Sequence, residues 1–156
     1  MTGNAPFFVD NEVITLTRNG IWIADGVEIS HEPTRRLFAR SLKRDDQGYS
    51  LHVGRETKRI NVEDTAYFVV RVDGEPAHGF ELTLSDESRE TLDPRTLSYR
   101  PGRLICRIKN EKSPDAEDAK FLHAPYFDLL RHLEEDAQGY FLKIGGIRVP
   151  LAPKSR

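Results

Sequence analysis

Apolar residues alternate with polar ones in short runs along most of this chain, and tight-turn dipeptides separate the runs. Residues 13–16 read as a strand, Asn19-Gly20 supplies the positive-φ pair of a hairpin turn, and Ile21-Trp22-Ile23 returns. Asp25-Gly26 turns the chain again into residues 27–29. Two Asx-Gly turns between apolar runs predict an antiparallel meander. The period then lengthens. Pro33 suits a first helical position, and a helix is predicted over 33–44, with Phe38, Ala39 and Leu42 on one face and Leu37 beside them. Gly48 ends the connection, Tyr49, Leu51 and Val53 alternate as a strand, and Arg55-Glu56-Thr57 turns toward Ile60 and Val62.

Residues 65–72 form the most β-prone stretch, Asp73-Gly74-Glu75-Pro76 is its predicted turn, and Phe80, Leu82 and Leu84 alternate on the return. The polar stretch 86–96 reads as a loop with at most a short helix, and 104–108 as a strand. Residues 109–120 are the least hydrophobic and are expected to form a mobile loop. A second helix is predicted over 125–135, where Tyr126, Leu129, Leu130 and Leu133 fall at i, i+3, i+4 and i+7. Tyr140-Leu142-Ile144, the Gly145-Gly146 turn and Ile147-Val149-Leu151 close the pattern.

Two of these stretches copy each other. RSLKRDDQGYSLHVG at 40–54 and RHLEEDAQGYFLKIG at 131–145 share eight of fifteen positions, where unrelated sequences of ordinary composition share roughly one. One residue out of step upstream stand His31-Glu32-Pro33 and His123-Ala124-Pro125. The expected fold class is therefore α+β, with two structural repeats, each one helix packed on a small, mostly antiparallel sheet. The whole chain, 1–156, reads as a single compact domain, with repeat units at about 13–84 and 97–151.

Composition narrows the function classes. A net charge of −2 argues against a general nucleic-acid binder. The single Cys106 rules out an intrachain disulfide or a cysteine-rich metal site. The first residues show no basic segment followed by an apolar run, and no apolar stretch approaches the roughly eighteen residues of a membrane span. A cytoplasmic protein without membrane association is the expectation.

An ordered set of motifs marks the first half: Gly20-Ile21-Trp22, Gly26-Val27-Glu28-Ile29, Leu37-Phe38 with Leu42 and Arg44, Gly48-Tyr49-Ser50-Leu51 and Val62-Glu63-Asp64. In this the chain resembles a bacterial family, the domain of unknown function 1285. The resemblance covers residues 13–72 and continues more weakly through Tyr126-Phe127-Asp128-Leu129 and the Gly145-Gly146 hairpin. The family's Ala-Pro-Phe element is here Thr65-Ala66-Tyr67, and the 109–120 region is longer and more charged. The resemblance implies two repeated α+β motifs and no particular activity.

No Walker-type phosphate loop, Gly-x-Gly-x-x-Gly, Gly-x-Ser-x-Gly or His-Glu-x-x-His is present. Four constellations remain. His31 and His123 stand beside helix starts, where an imidazole suits anion binding or general-base chemistry, against the plainer role of shaping a strand-to-helix corner. Glu63 and Asp64 are adjacent carboxylates that point to opposite faces if the strand continues. Arg36, Arg40, Lys43 and Arg44 make one basic stripe if the first helix runs to 44, and the second copy reverses the last two to Glu134 and Glu135. Such opposite ends suit pairing between halves or between subunits of a homo-oligomer. Trp22 and Tyr49 are candidate walls of a cleft.

The expected function is a non-enzymatic ligand-binding or protein-interaction module with a regulatory or signalling role. Its candidate ligand-binding residues are Trp22, His31, Arg36, Arg40, Tyr49, Glu63, Asp64 and His123, the natural place is a groove between the two units, and no metal or cofactor is called for. The alternative is a small enzyme using His31 with Glu63 or Asp64 as acid and base.

Overall fold

The structure, a computed structural model, describes residues 6–109 and 116–153. The fold is α+β. A first meander comprises β1 (Ile14–Leu16), β2 (Trp22–Ala24) and β3 (Val27–Glu28), followed by α1 (Glu32–Arg40). A second comprises β4 (Leu42–Asp45), β5 (Gly48–Val53) and β6 (Glu56–Arg59). Next, β7 (Asn61–Val62) pairs in parallel with β1, completing a four-stranded sheet ordered β3-β2-β1-β7.

The long strand β8 (Tyr67–Glu75) enters the middle of the molecule. Around it lie β9 (Gly79–Leu84), β10 (Arg89–Thr91), a 3-10 turn at Pro94–Thr96, β11 (Ser98–Arg100), β12 (Arg103–Ile108) and β13 (Glu117–Phe121). These make a six-stranded sheet ordered β10-β9-β8-β13-β12-β11. Its one parallel pair, β8 with β13, joins the early and late parts of the chain: Ala119 stands opposite Tyr67, Lys120 opposite Phe68 and Phe121 opposite Val69. The chain ends with α2 (His123–Leu130) and a third meander, β14 (Glu134–Asp136), β15 (Gly139–Ile144) and β16 (Ile147–Pro153).

Both helices stop earlier than helical spacing predicts. α1 ends at Arg40, where the Ser41 hydroxyl donates to the Leu37 carbonyl (2.6 Å) and the Ser41 carbonyl accepts from the His52 amide (2.9 Å). The β4–β5 ladder thus captures the chain, with Leu42 opposite Leu51. Lys43 and Arg44 lie on a strand, and the basic stripe read on a longer helix does not form. Glu134 and Glu135 likewise belong to β14, so neither charge pair marks a helix end. Of the expected loop 109–120, residues 110–115 lie outside the described residues, and residues 117–120 belong instead to β13. Its inward positions are Glu117, Ala119 and Phe121; a carboxylate at the first of them hides the alternation.

The copied stretch has the same local structure twice. In each copy the aspartate of Asp-x-Gln-Gly accepts from the glutamine amide: Gln47 to Asp45 Oδ1 at 2.8 Å, Gln138 to Asp136 Oδ1 at 2.8 Å. The following glycine sits at φ +128 for Gly48 and +134 for Gly139, a region other residues rarely occupy. An arginine from the third strand clasps each aspartate: Arg59 on Asp45 at 2.9 Å, Arg148 on Asp136 at 2.7 Å. Identity is therefore explained by turn chemistry. What lies around the turns differs, because α2 rests on β8 and β13 of the large sheet, whereas α1 inserts Phe38 between Trp22 and the Phe7-Phe8 pair. Neither helix simply covers the meander that follows it.

One contiguous apolar cluster, with Tyr67, Phe68, Leu104 and Leu129 among its most buried members, draws on all four sheets. Leu51 and Leu142 are both fully buried, but Leu42 is 1% exposed and its copy Leu133 is 39% exposed. Leu42→Ala is therefore expected to cost about 2–5 kcal/mol and Leu133→Ala under about 1 kcal/mol by urea denaturation; equal costs would contradict this packing. The Arg59 guanidinium, helped by the Gln47 amide, pulls the Asp45 carboxyl down to about 2. A carboxyl depressed by folding stabilises above its unfolded pKa and loses that contribution as pH falls through the folded value. An NMR titration should place the Asp45 midpoint near 2, and Arg59→Gln should raise it; a midpoint in the ordinary range near 4 in the unaltered protein would disprove the clasp.

Candidate functional site

The parallel register of β8 and β13 places Lys120 beside Phe68, and Leu122 continues the same face just before α2 begins. The β1–β2 hairpin lies across this face. Gly20, at φ +81, lets the hairpin tip press onto it: a Cβ there would sit 3.4 Å from Leu122 Cδ2 and 3.6 Å from the Phe68 ring. Lys120 fastens the tip by donating from Nζ to the Arg18 carbonyl at 2.8 Å.

Beside that contact opens a cleft of about 670 Å³, whose lining includes Arg18, Lys120, Leu122, His123, Tyr126 and Phe127. Its aromatic wall is built by α2. Phe127 is 55% exposed and meets His123 edge-on at 4.9 Å and Tyr126 at 5.0 Å. The Tyr126 hydroxyl accepts from the Gly102 amide at 3.1 Å. It also hydrogen-bonds the Tyr99 phenol, which that bond, aided by burial, pushes above its usual pKa.

Among the described residues the cleft's lining carries the cations Arg18 and Lys120, and their counterions are Glu63 and Asp64. Arg103 grips Asp64 with Nη2 on Oδ1 (2.6 Å) and Nε on Oδ2 (3.3 Å), and Lys120 Nζ lies 3.5 Å from Oδ2. Burial raises the Asp64 pKa, but Arg103 and Lys120 together outweigh it and leave the carboxyl below the ordinary value. Glu63 accepts from the Arg18 amide at 3.0 Å and stands 3.9 Å from the Arg18 guanidinium.

Two further recesses flank this one. Between α1 and the large sheet, a cleft of about 310 Å³ has Trp22, Ala39, Phe68, Val70 and Leu122 as apolar lining. The β8–β9 register shifts between Val69 and Arg71, and this bulge leaves Val70 exposed toward the recess. At its rim, Arg36 is held by Glu32 at 2.6 Å and Glu87 at 3.5 Å. The third recess, about 570 Å³, is polar and surrounds Glu117, whose side chain is only 3% exposed. Tyr49 donates its hydroxyl to Glu117 at 2.9 Å and Arg44 Nη1 lies at 3.4 Å. Burial first, then the Glu117 hydrogen bond and charge, push the Tyr49 phenol well above its ordinary pKa. This cluster ties the β4–β5 hairpin to β13. In the second copy Glu135 replaces Arg44 opposite the tyrosine, and it raises the Tyr140 pKa by accepting its hydrogen bond.

The sequence-derived candidates therefore scatter over three places. Trp22 and Arg36 share the α1 recess, Tyr49 sits at the polar one with Asp64 on its lining, and His123 lines the large cleft. Glu63 and Asp64 stand behind that cleft's cations. His31 is exposed at the start of α1, its Nδ1 2.7 Å from the Thr34 hydroxyl, and neither it nor Arg40 lines any of the three recesses. Trp22 and Tyr49 do not share a wall. Sequence reasoning missed Arg18, Lys120, Tyr126 and Phe127 at the cleft and Glu117 at the polar recess. For Phe127 a signal existed, since a large aromatic off the apolar stripe of a helix asks for a partner. Among the described residues no group of three or more His, Cys, Asp or Glu is placed to hold a metal ion, and no helix is long and apolar enough to cross a membrane.

No family model and no curated protein matches the chain. Two crystal structures share its fold. A DUF1285 family protein from Silicibacter pomeroyi DSS-3 aligns with a TM-score of 0.59 at 18% identity, over 90% of this chain and 79% of that one. A DUF1285 family protein from Shewanella baltica OS155 aligns with a TM-score of 0.57 at 19% identity, over 78% of this chain and 92% of that one. The family resemblance read in the sequence is thus borne out in the fold.

The two copied tyrosines should respond differently to loss of the hydroxyl. Tyr49→Phe removes a donor from a buried carboxylate and is expected to cost about 1–3 kcal/mol in urea denaturation, with Tyr140→Phe costing distinctly less. Equal losses would show that the Glu117 bond does not hold the hairpin.

Proposed function

We propose that this protein is a non-enzymatic ligand-binding module with a regulatory role, and that its ligand occupies the cleft between the β1–β2 hairpin and α2. The observation that carries the reading is the cleft itself: about 670 Å³, walled by His123, Tyr126 and Phe127 and edged by Arg18 and Lys120. Concave sites of this size with an apolar wall and a few convergent polar groups are where small molecules bind. The polar groups are held in advance, Lys120 by the Arg18 carbonyl and Asp64, and the Tyr126 hydroxyl by Gly102 and Tyr99. Preorganisation of this kind lowers the ordering cost of binding.

The acid–base alternative lacks a comparable support. His31 bonds within its own helix start, while Glu63 and Asp64 are engaged by Arg18 and by Arg103 with Lys120. A regulatory role fits the position of the cleft, because a bound molecule touches a hairpin from the first unit and a helix from the second, and so couples them. The cytoplasm remains the expected compartment.

A thermal-shift screen of small molecules spanning anions, cations and neutral compounds tests the reading. A ligand present at a hundred times its Kd should stabilise the protein by about 2.7 kcal/mol, or roughly 5–10 °C. Phe127→Ala, at an exposed side chain, should remove the shift, and Val27→Ala, also exposed but not among the residues lining the cleft, should keep it. No shift from any class, or a shift untouched by Phe127→Ala, would refute the site.

A further inference from the structure

We infer that the ligand of this cleft is an aromatic monocarboxylate, a deduction that rests on the cleft being the binding site. The sign of the charge comes first. Among the described residues the Asp, Glu, Lys and Arg side chains on the lining are two, the cations Arg18 and Lys120, so a cationic ligand meets like charge there. Lys120 is also placed to donate. An ammonium has three N–H groups; one goes to the Arg18 carbonyl at 2.8 Å and a second toward Asp64 at 3.5 Å. Among the described residues no acceptor takes the third, and Lys120 lines the cleft with a side chain only 14% exposed, where a charge-assisted bond is stronger than in open water.

The number of charges follows from the counterions. Asp64 is shared between Arg103, at 2.6 Å, and Lys120, at 3.5 Å, and Glu63 stands 3.9 Å from Arg18, so three cations face two carboxylates and one positive charge remains. The residual positive field suits a single negative charge better than a phosphate dianion. The body of the ligand is set by the wall. Phe127 is 55% exposed, meets His123 and Tyr126 edge-on and lines the cleft, so it brings aromatic surface to the ligand. A flat ring meets such a surface in offset or edge-to-face geometry, which a saturated ring cannot reproduce. The volume admits a one- or two-ring acid.

Isothermal titration calorimetry of the full chain with indole-3-acetate and benzoate tests this, with cyclohexaneacetate, tryptophol and tryptamine as saturated, neutral and cationic comparators. The aromatic acids are expected to bind at least about tenfold more tightly than each comparator. Lys120→Met should weaken them by about tenfold or more, and Arg18→Gln, on the exposed hairpin, should weaken them without the loss of folding that removing Lys120 risks. Phe127→Leu should weaken indole-3-acetate more than cyclohexaneacetate. Failure of both aromatic acids to bind, equal binding of tryptophol or tryptamine, or indifference to both Arg18→Gln and Phe127→Leu would overturn the inference. If some other class stabilises the protein and loses its effect in Phe127→Ala, the inference falls while the binding site stands.

Discussion

The parallel pairing of β8 with β13 is the constraint on which the rest of the molecule depends. Parallel neighbours need a long crossover, and here the crossover is the β9–β12 region, which adds two strands on one side of β8 and returns on the other. The register that results is specific. Lys120 must stand beside Phe68 for Leu122 to receive the Gly20 turn and for α2 to start where its aromatic side chains face the hairpin. A slip of one residue would turn Lys120 and Leu122 to the opposite face and abolish the cleft. Two polar ties reinforce the register from either end of β13: Glu117 with Tyr49 and Arg44, and Lys120 with the Arg18 carbonyl.

That arrangement separates the duplicated scaffold from the cleft. The copied residues Asp45/Asp136, Gln47/Gln138 and Gly48/Gly139 build two Asx turns clasped by Arg59 and Arg148, and Leu51/Leu142 anchor both in the core. None of them lines the large cleft. Its cations and its exposed aromatic, Arg18, Lys120 and Phe127, all lie outside the duplicated stretch. Even the paired histidines part company, since His123 joins an aromatic wall while His31 stays in solvent at its helix start. Duplication accounts for the scaffold, and the asymmetry between the halves accounts for the cleft.

How far the sequence foretold this depends on whether the deciding term was local. The Asp25-Gly26 turn, the first meander and the buried strand beginning at Tyr67 follow from turn chemistry and period, and each was legible, whereas at Asn19-Gly20 the glycine alone takes a positive φ. Helix ends were not, because Ser41 to Asp45 carries a helical pattern that the β4–β5 ladder overrides through Leu42 and Leu51. Strand β13 was hidden for a different reason. Glu117 is an acidic residue yet buried, where a distant tyrosine and arginine satisfy it, so no window around it reveals an inward face. The cleft inherits that blindness: Lys120 sits on the hidden strand, and its partners at Arg18 and Asp64 are remote in sequence.

The most direct test of the account is to map where an aromatic acid touches the protein. A titration with indole-3-acetate followed by two-dimensional ¹H–¹⁵N NMR reports every backbone amide at once. The account predicts shifts confined to Asn19, Gly102, Leu122, His123 and their neighbours, with Gln47, Gly48 and the amides around His31 unmoved. Shifts centred instead on the Trp22 recess or the Glu117 pocket, or scattered over the surface, would contradict it.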